Sequence, residues 1–190
     1  SMLLAFCVFR VTDSKAALLS SLAAIVLCLI AFRVGPWLSS KKWSVPLCLG
    51  LYLLGIAAFL SLALLYQEDN GFFSTCNMLL SDRLAYSSAA LRSFGVKLFG
   101  AQVHFRWDPV DSLYAYAPIC MGLIPTVLYF GLNLISIYRA ARAGRWDIVA
   151  VAFAGALYST MEYGLMNPVH LPIFAACARL KVEKDRKSSV

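Results

Sequence analysis

Residues 43–67 read WSVPLCLGLYLLGIAAFLSLALLYQ, and this stretch holds no charged side chain. An α-helix rises about 1.5 Å per residue, so about 20 apolar residues cross a hydrocarbon core of about 30 Å. The stretch is therefore long enough to cross a bilayer as one helix. Residues 16–32 and 112–138 are equally free of charge, and residues 148–178 hold one carboxylate and one histidine.

The composition of the whole chain agrees with this interpretation. Of the 190 residues, 61% are hydrophobic and 14% are charged, whereas an ordinary soluble domain is about 45–50% apolar and about 25% charged. A soluble chain of this size must cover its surface with polar groups, and this chain lacks them. We therefore predict an all-α integral membrane protein. Its single domain, residues 1–190, is a bundle of about four transmembrane helices.

Prolines, glycines and charged residues set the predicted ends of these helices. The four transmembrane helices are predicted at about 15–33, 45–66, 109–138 and 148–166. Gly35 and the proline after it end the first helix. Asp108 caps the third helix and Pro109 occupies its first position. Pro118 and Pro125 lie inside that helix and predict a bend.

The connection over residues 67–111 is the longest, and five charged residues between 82 and 106 exclude a membrane span there. Leu84, Leu91 and Leu98 nevertheless recur at helical spacing, with charged residues between them. We predict an amphipathic interfacial helix at about 81–100, which lies at the membrane surface or caps the bundle.

The basic residues indicate the partners. The formal net charge is +7, and the basic residues flank the apolar stretches in the connectors 33–42 and 139–147 and in the basic tail 179–190. This placement favours phospholipid headgroups over nucleic acid. We expect membrane lipid and protein partners within the bilayer, and no nucleic acid. In a four-helix arrangement the two connectors lie on the same side of the membrane, and the positive-inside rule predicts that this is the inside. The basic tail lies on the opposite side and conflicts with this orientation.

Cysteines and glycosylation signals bear on localisation. The six cysteines have no metal-like spacing and no CxxC pattern, and no asparagine lies in an Asn-x-Ser/Thr sequon. We expect neither a cofactor nor a metal site. These observations favour a multi-pass protein of an intracellular organelle membrane, mitochondrial inner or endoplasmic reticulum, over the cell surface.

Glu162 is the candidate catalytic residue. It lies well inside the predicted fourth helix, where a carboxylate costs roughly 2.5–3.5 kcal/mol on insertion scales and must find a partner. It could serve as a proton relay, a ligand counter-ion or a general acid, or as a structural carboxyl bonded to another helix. Tyr158, Tyr163 and His170 complete the candidate ligand-binding set. Tyrosines are equally typical of membrane-belt packing, and His170 of an interfacial position.

Three functions follow from these features. The first is a non-catalytic accessory or structural subunit of a larger membrane complex, because the spans contain no concentrated polar cluster and no recognisable catalytic set. The alternative is a lipid- or sterol-handling membrane enzyme or binding protein that uses a buried acidic residue. The third is an oligomeric transporter or channel, for which four helices per chain are few. We favour the first and expect no enzymatic activity.

Overall fold

The computed structural model describes residues 15–80, 82–101 and 110–160. The predicted all-α class is confirmed, since these residues form helices and contain no strand. The helices are α1 (Lys15–Ser39), α2 (Ser44–Leu65), α3 (Gly71–Leu79), α4 (Arg83–Phe94), α5 (Leu113–Tyr116), α6 (Leu123–Arg142) and α7 (Trp146–Ser159). A π-helical turn, Ala117–Met121, follows α5 directly.

Among the described residues, α2 and α6 are the two helices long and apolar enough to cross a membrane. The apolar lengths Ile25–Ser39 in α1 and Trp146–Ser159 in α7 are shorter. Length and composition thus support two of the four predicted crossings, and the four-span bundle is not confirmed. The predicted fourth helix extended to 166, and its residues after 160 lie outside the described part of the chain.

Helix α1 continues past its predicted end at 33 and includes Gly35 and Pro36. The proline has no N–H for the carbonyl four residues before it, yet α1 continues through it. Three residues later, the Ser39 hydroxyl donates a hydrogen bond to the Gly35 carbonyl at 2.9 Å. A Cβ on Gly35 would lie 3.0 Å from Cδ1 of Trp146. The glycine therefore permits close packing against an indole and does not end the helix.

The described chain divides into two compact units. The first contains residues 15–52 and 131–156, and the second contains 53–80, 82–101, 110–130 and 157–160. In the first unit Ile137, Ala140 and Trp146 are buried, and the ring of Tyr52 meets that of Phe153 edge-on at 6.0 Å.

The core of the second unit contains the apolar face of α4. Its fully buried members are Ala63, Leu84, Ala90, Leu91, Val110, Ala115 and Ile119. The predicted interfacial helix at about 81–100 is thus shorter than expected, and its apolar face packs in a protein core. Leu98 and Phe99 lie beyond it in an irregular segment and are 59% and 78% exposed. Helical spacing alone does not distinguish a lipid-facing stripe from one that faces protein.

Asn77 joins α3 to α4. Its side-chain amide donates to Oδ1 of Asp82 at 2.8 Å, and its side-chain oxygen accepts a hydrogen bond from the backbone N–H of Ala85 at 2.9 Å. Asp82 has a left-handed φ of +62°, a conformation that aspartate tolerates better than most side chains. The buried amide therefore fixes the tight turn between the two short helices.

The predicted helix over 109–138 is interrupted at Gly122, whose φ is +97°. Helix α5 and the π-helical turn precede this glycine, and α6 begins at the next residue. Pro118 lies in the π-helical turn and Pro125 in the first turn of α6. The two prolines therefore flank a break, where the sequence predicted a bend in one continuous helix.

The start of this region also differs from the prediction. The N-cap of α5 is Ser112. Asp111 precedes the helix, and its carboxylate pairs with the guanidinium of Arg83 at 2.9 Å. Asp108 and Pro109, the predicted cap and first residue, lie outside the described residues.

The backbone of residues 97–101 fills the break. The hydrogen bonds run from Leu123 N–H to Lys97 O (2.8 Å), from Ile124 N–H to Leu98 O (3.2 Å) and from Ala101 N–H to Ile119 O (3.1 Å). The first N–H groups of a helix have no partner within it, and each costs about 1–3 kcal/mol if buried unpaired. Lys97 and Leu98 supply acceptors for two such N–H groups, and Ala101 supplies a donor to a carbonyl on the other side of the break.

Two glycines let these backbones approach. A Cβ on Gly122 would lie 2.2 Å from the nitrogen of Gly100, and a Cβ on Gly100 would lie 2.2 Å from the carbonyl oxygen of Cys120. Both glycines also have positive φ, +77° at Gly100 and +97° at Gly122. Any other residue would push the two segments apart and break their hydrogen bonds.

We predict that Gly122→Ala destabilises the protein by at least about 1–3 kcal/mol, the usual cost of holding a non-glycine residue in an unfavourable backbone conformation. Denaturant unfolding in detergent micelles, followed by the helical circular dichroism signal, measures this change. The matched control is Gly131→Ala in α6, where nothing lies within 4 Å of the added Cβ and a gain of about 0.5–1 kcal/mol is expected. An unchanged midpoint for Gly122→Ala would contradict the backbone crossing.

Candidate functional site

Of the four residues predicted to bind a ligand, the structure describes Tyr158 in α7, which is half-buried. Glu162, Tyr163 and His170 lie outside the described residues. The roles of Glu162 as a catalytic candidate and of the whole set as a ligand site therefore stay predictions.

A neighbouring tyrosine takes part in core packing. Tyr114 is 3% exposed, and its hydroxyl is hydrogen bonded to the side chain of Ser159. Its ring stacks on Phe130 at 5.6 Å between centroids and contacts Phe59 at 5.5 Å. Tyr114 is therefore a core-packing residue, because its ring and its hydroxyl both have partners within the second unit.

The first unit contains a groove between α1 and the start of α7. Its volume is about 570 Å³, within the range of small-molecule sites. Cys28, Ala31, Phe32 and Pro36 form its apolar part, and Arg145 and Asp147 stand at its polar end. Since a helix rises about 1.5 Å per residue, the apolar part runs about 12 Å along α1. The groove changes from apolar to charged along its length.

A relay of hydrogen bonds fixes the wall of the groove. The indole N–H of Trp146 donates to the Ser39 hydroxyl at 2.7 Å, and that hydroxyl donates to the Gly35 carbonyl at 2.9 Å. Trp146 is only 5% exposed, so its indole N–H depends on this partner. The bond also places the end of α1 beside the link between α6 and α7, which agrees with the expectation that the two short connectors share one side.

Arg145 and Asp147 form a bidentate ion pair at the polar end. Nε of Arg145 donates to Oδ1 of Asp147 at 3.0 Å, and Nη2 donates to Oδ2 at 2.8 Å. This hydrogen-bonded guanidinium holds the pKa of the Asp147 carboxyl below its usual range. The pair is about half exposed, so it orients the two side chains more than it stabilises the fold.

The connectors 33–42 and 139–147 together carry six basic residues and one acidic residue, a net charge of +5. All six basic residues are exposed, and the five other than Arg145 pair with no described carboxylate. We name these five residues the basic collar: Arg33, Lys41, Lys42, Arg139 and Arg142.

Aromatic rings accompany the basic collar. Nζ of Lys41 lies over the ring of Trp37 at 5.7 Å, and the guanidinium of Arg142 lies over Tyr138 at 6.0 Å. Trp37 also meets Trp43 edge-on at 5.7 Å, and both indoles are about half exposed. Cations beside amphipathic rings are typical of a headgroup layer.

Sequence reasoning missed the groove because it assigned its residues to helix ends. Gly35 is interpreted there as a stop signal, and Trp146 and Asp147 are assigned to the connector 139–147 before the predicted fourth helix. A usable signal was present, since a glycine beside bulky apolar residues in a helix is also typical of a close contact. The contacting residue, Trp146, is too distant in the chain to be paired with Gly35 from sequence alone.

We predict that Ser39→Ala destabilises the first unit by about 1–3 kcal/mol, because the buried indole N–H of Trp146 then lacks an acceptor. Trp146→Phe removes the N–H donor itself, so no buried donor is left without an acceptor. The loss of the hydrogen bond should therefore destabilise this variant less than it destabilises Ser39→Ala. Thermal unfolding in micelles compares both with Ser40→Ala, whose hydroxyl is exposed and bonds only the Trp37 carbonyl. If Ser39→Ala and Ser40→Ala are equally stable, the relay is wrong.

We predict that Asp147 makes a small contribution to the free energy of unfolding and that this contribution is lost at low pH. Its folded pKa is lowered, so its contribution is present above the unfolded value of about 3.9 and is lost as pH falls through the folded pKa. The difference in unfolding midpoint between wild type and Asp147→Asn should hold from pH 7 to about pH 5 and vanish at lower pH, and it should stay within about 1 kcal/mol. A difference that persists at low pH would contradict the pairing.

Within the described ranges, no three His, Cys, Asp or Glu side chains come together in a way that could hold a metal ion. Comparison with protein-family models, with curated proteins and with solved structures gives no match. The function is therefore inferred from the geometry of this chain alone.

Proposed function

We propose that this chain is a multi-pass membrane protein that acts as a non-catalytic accessory subunit and packs against other polypeptides within the bilayer. The observation that carries the proposal is a row of three small residues and one leucine on the exposed face of α2. The helix is apolar along nearly its whole length, and no described part of the chain covers this face.

The exposure of the apolar helices supports placement in a membrane. Only 17% of the most apolar stretch of α2, and 22% of that of α6, is buried within the structure. The core helix of a soluble protein would be mostly buried. Each Å² of apolar surface left in water costs about 25 cal/mol, whereas acyl chains remove this cost. We propose that α1 and α7 also cross the bilayer, because residues 16–32 and 148–178 are almost free of charge. The chain then crosses the membrane four times.

The row consists of Gly50, Leu54, Ala57 and Ser61, and we name it the outer stripe. These residues are spaced by four, three and four positions, so they lie on one face of α2, and all four are exposed. The opposite face of the same helix carries the buried residues Tyr52, Phe59 and Ala63. The helix therefore has one face inside the protein and one face open.

Small residues on an open face suit a second helix. Lipid tails are as apolar as leucine, so helices associate in a bilayer through close packing, which glycine, alanine and serine allow. A Cβ added to Gly50 would meet nothing within 4 Å, so the described part of the chain leaves the space beside it free. A helix of another polypeptide can approach the backbone of α2 there.

The basic collar supports one orientation. Short connectors rich in Lys and Arg remain on the cytoplasmic side, or on the equivalent side of an organelle membrane. We therefore propose that the end of the first unit that carries the collar faces that side. An intracellular organelle membrane, mitochondrial inner or endoplasmic reticulum, remains our proposal for its location.

We predict that Gly50→Leu disrupts assembly and leaves the fold intact, because the added side chain occupies the space that a partner backbone needs. Mild detergent extraction followed by native electrophoresis measures the size of the assembly that contains the chain. The matched control is Gly131→Leu in α6, where the added Cβ also meets nothing within 4 Å. The control should leave the assembly unchanged.

A wild-type chain that leaves the membrane as a stable monomer would overturn the accessory-subunit proposal. A monomer that binds or modifies a lipid and loses this activity in Glu162→Gln would instead support the lipid-handling alternative. Equal loss of assembly in both glycine variants would show that the effect is not specific to the outer stripe.

A further inference from the structure

We infer that the groove between α1 and α7 is a binding site for an anionic phospholipid, with one acyl chain along its apolar part and the phosphate at the basic collar. The inference goes beyond the accessory role. It requires the chain to lie in a bilayer but does not require a protein partner.

The order of the lining residues matches the order of groups in a phospholipid. Cys28, Ala31 and Phe32 line the groove along α1, farthest in sequence from the connector, and Arg145 and Asp147 stand at the connector end. An acyl chain contacts apolar groups along its length, and its headgroup needs polar and charged partners. A sterol or a free fatty chain would not use the charged end to the same extent.

The groove is open to the side. Phe32, one of its walls, is 82% exposed, so nothing in the described structure closes the groove over that residue. An acyl chain can therefore enter laterally from the bilayer. The opposite wall is rigid, because Trp146 is buried and hydrogen bonded to Ser39. A rigid wall lowers the entropic cost of ordering a flexible chain.

Charge selects the headgroup. Lys41 and Lys42 follow the end of α1 directly, and Arg139 and Arg142 lie in the last turn of α6, just before the link that lines the groove. Arg145 is engaged by Asp147, so the unpaired positive charge belongs to the collar. Clusters of four or more Lys and Arg at a membrane surface attract anionic lipids. The collar therefore favours a negatively charged headgroup over a zwitterionic one.

Trp146 can report on occupancy, since this residue lines the groove. Trp37→Phe, Trp43→Phe and Trp107→Phe together leave it as the sole tryptophan. This variant is placed in phosphatidylcholine nanodiscs that contain a small fraction of either dibromo-acyl phosphatidylglycerol or dibromo-acyl phosphatidylcholine. Bromine quenches an indole that it contacts. At equal mole fraction, we expect phosphatidylglycerol to quench Trp146 more strongly.

Groove variants in the same background locate the effect. Ala31→Phe fills the groove and should abolish the preference, and Cys28→Leu is a smaller filling if the first variant unfolds. Ala57→Phe places the same ring on the exposed face of α2 and should retain it. Lys41→Gln with Lys42→Gln should reduce it. Circular dichroism confirms that each variant is folded.

Equal quenching by the two brominated lipids would overturn the inference, as would a preference that both groove-filling variants leave unchanged. Neither result depends on the outer stripe, because the protein in these nanodiscs has no partner. Failure of this site and failure of the accessory role are therefore separate outcomes.

Discussion

The three backbone hydrogen bonds between residues 97–101 and the helix ends around Gly122 organise the second unit. They satisfy peptide groups that a broken helix leaves open, and they bring the chain after α4 against the start of α6. The crossing is possible only because Gly100 and Gly122 both lack a Cβ. The core around Leu84 and Ile119 is assembled from elements on either side of this crossing.

The helical class and the long apolar stretches could be predicted because they depend on local composition, which is read directly along the chain. The break at Gly122 could not, since its hydrogen-bond partners begin at Lys97, in a segment that sequence patterns assign to a different element. The role of Gly35 could not be predicted for the same reason, because the residue that it packs against, Trp146, is distant in the sequence. The spacing of Leu84 and Leu91 predicted a helix correctly but not which surface it would meet.

In the groove, in the outer stripe and in the core, apolar side chains need apolar contacts and polar groups need hydrogen-bond partners. Two polar side chains near helix ends bond to other segments of the chain: Asn77 in the last turn of α3 bonds to Asp82, and Ser39 at the end of α1 bonds to Trp146. The apolar helix faces are left to other contacts, which we propose are lipid in the groove and a second polypeptide on α2. Three members of the predicted ligand-binding set, Glu162, Tyr163 and His170, lie outside the described residues, so that site stays a prediction.

The break at Gly122 also has a consequence for biosynthesis. The carbonyl groups of Lys97 and Leu98 are polymerised before the N–H groups of Leu123 and Ile124 that they accept. When α6 leaves the ribosome, the acceptors for its first turn already exist in the nascent chain. Helix α6 can thus be capped co-translationally, without waiting for any segment still to be translated.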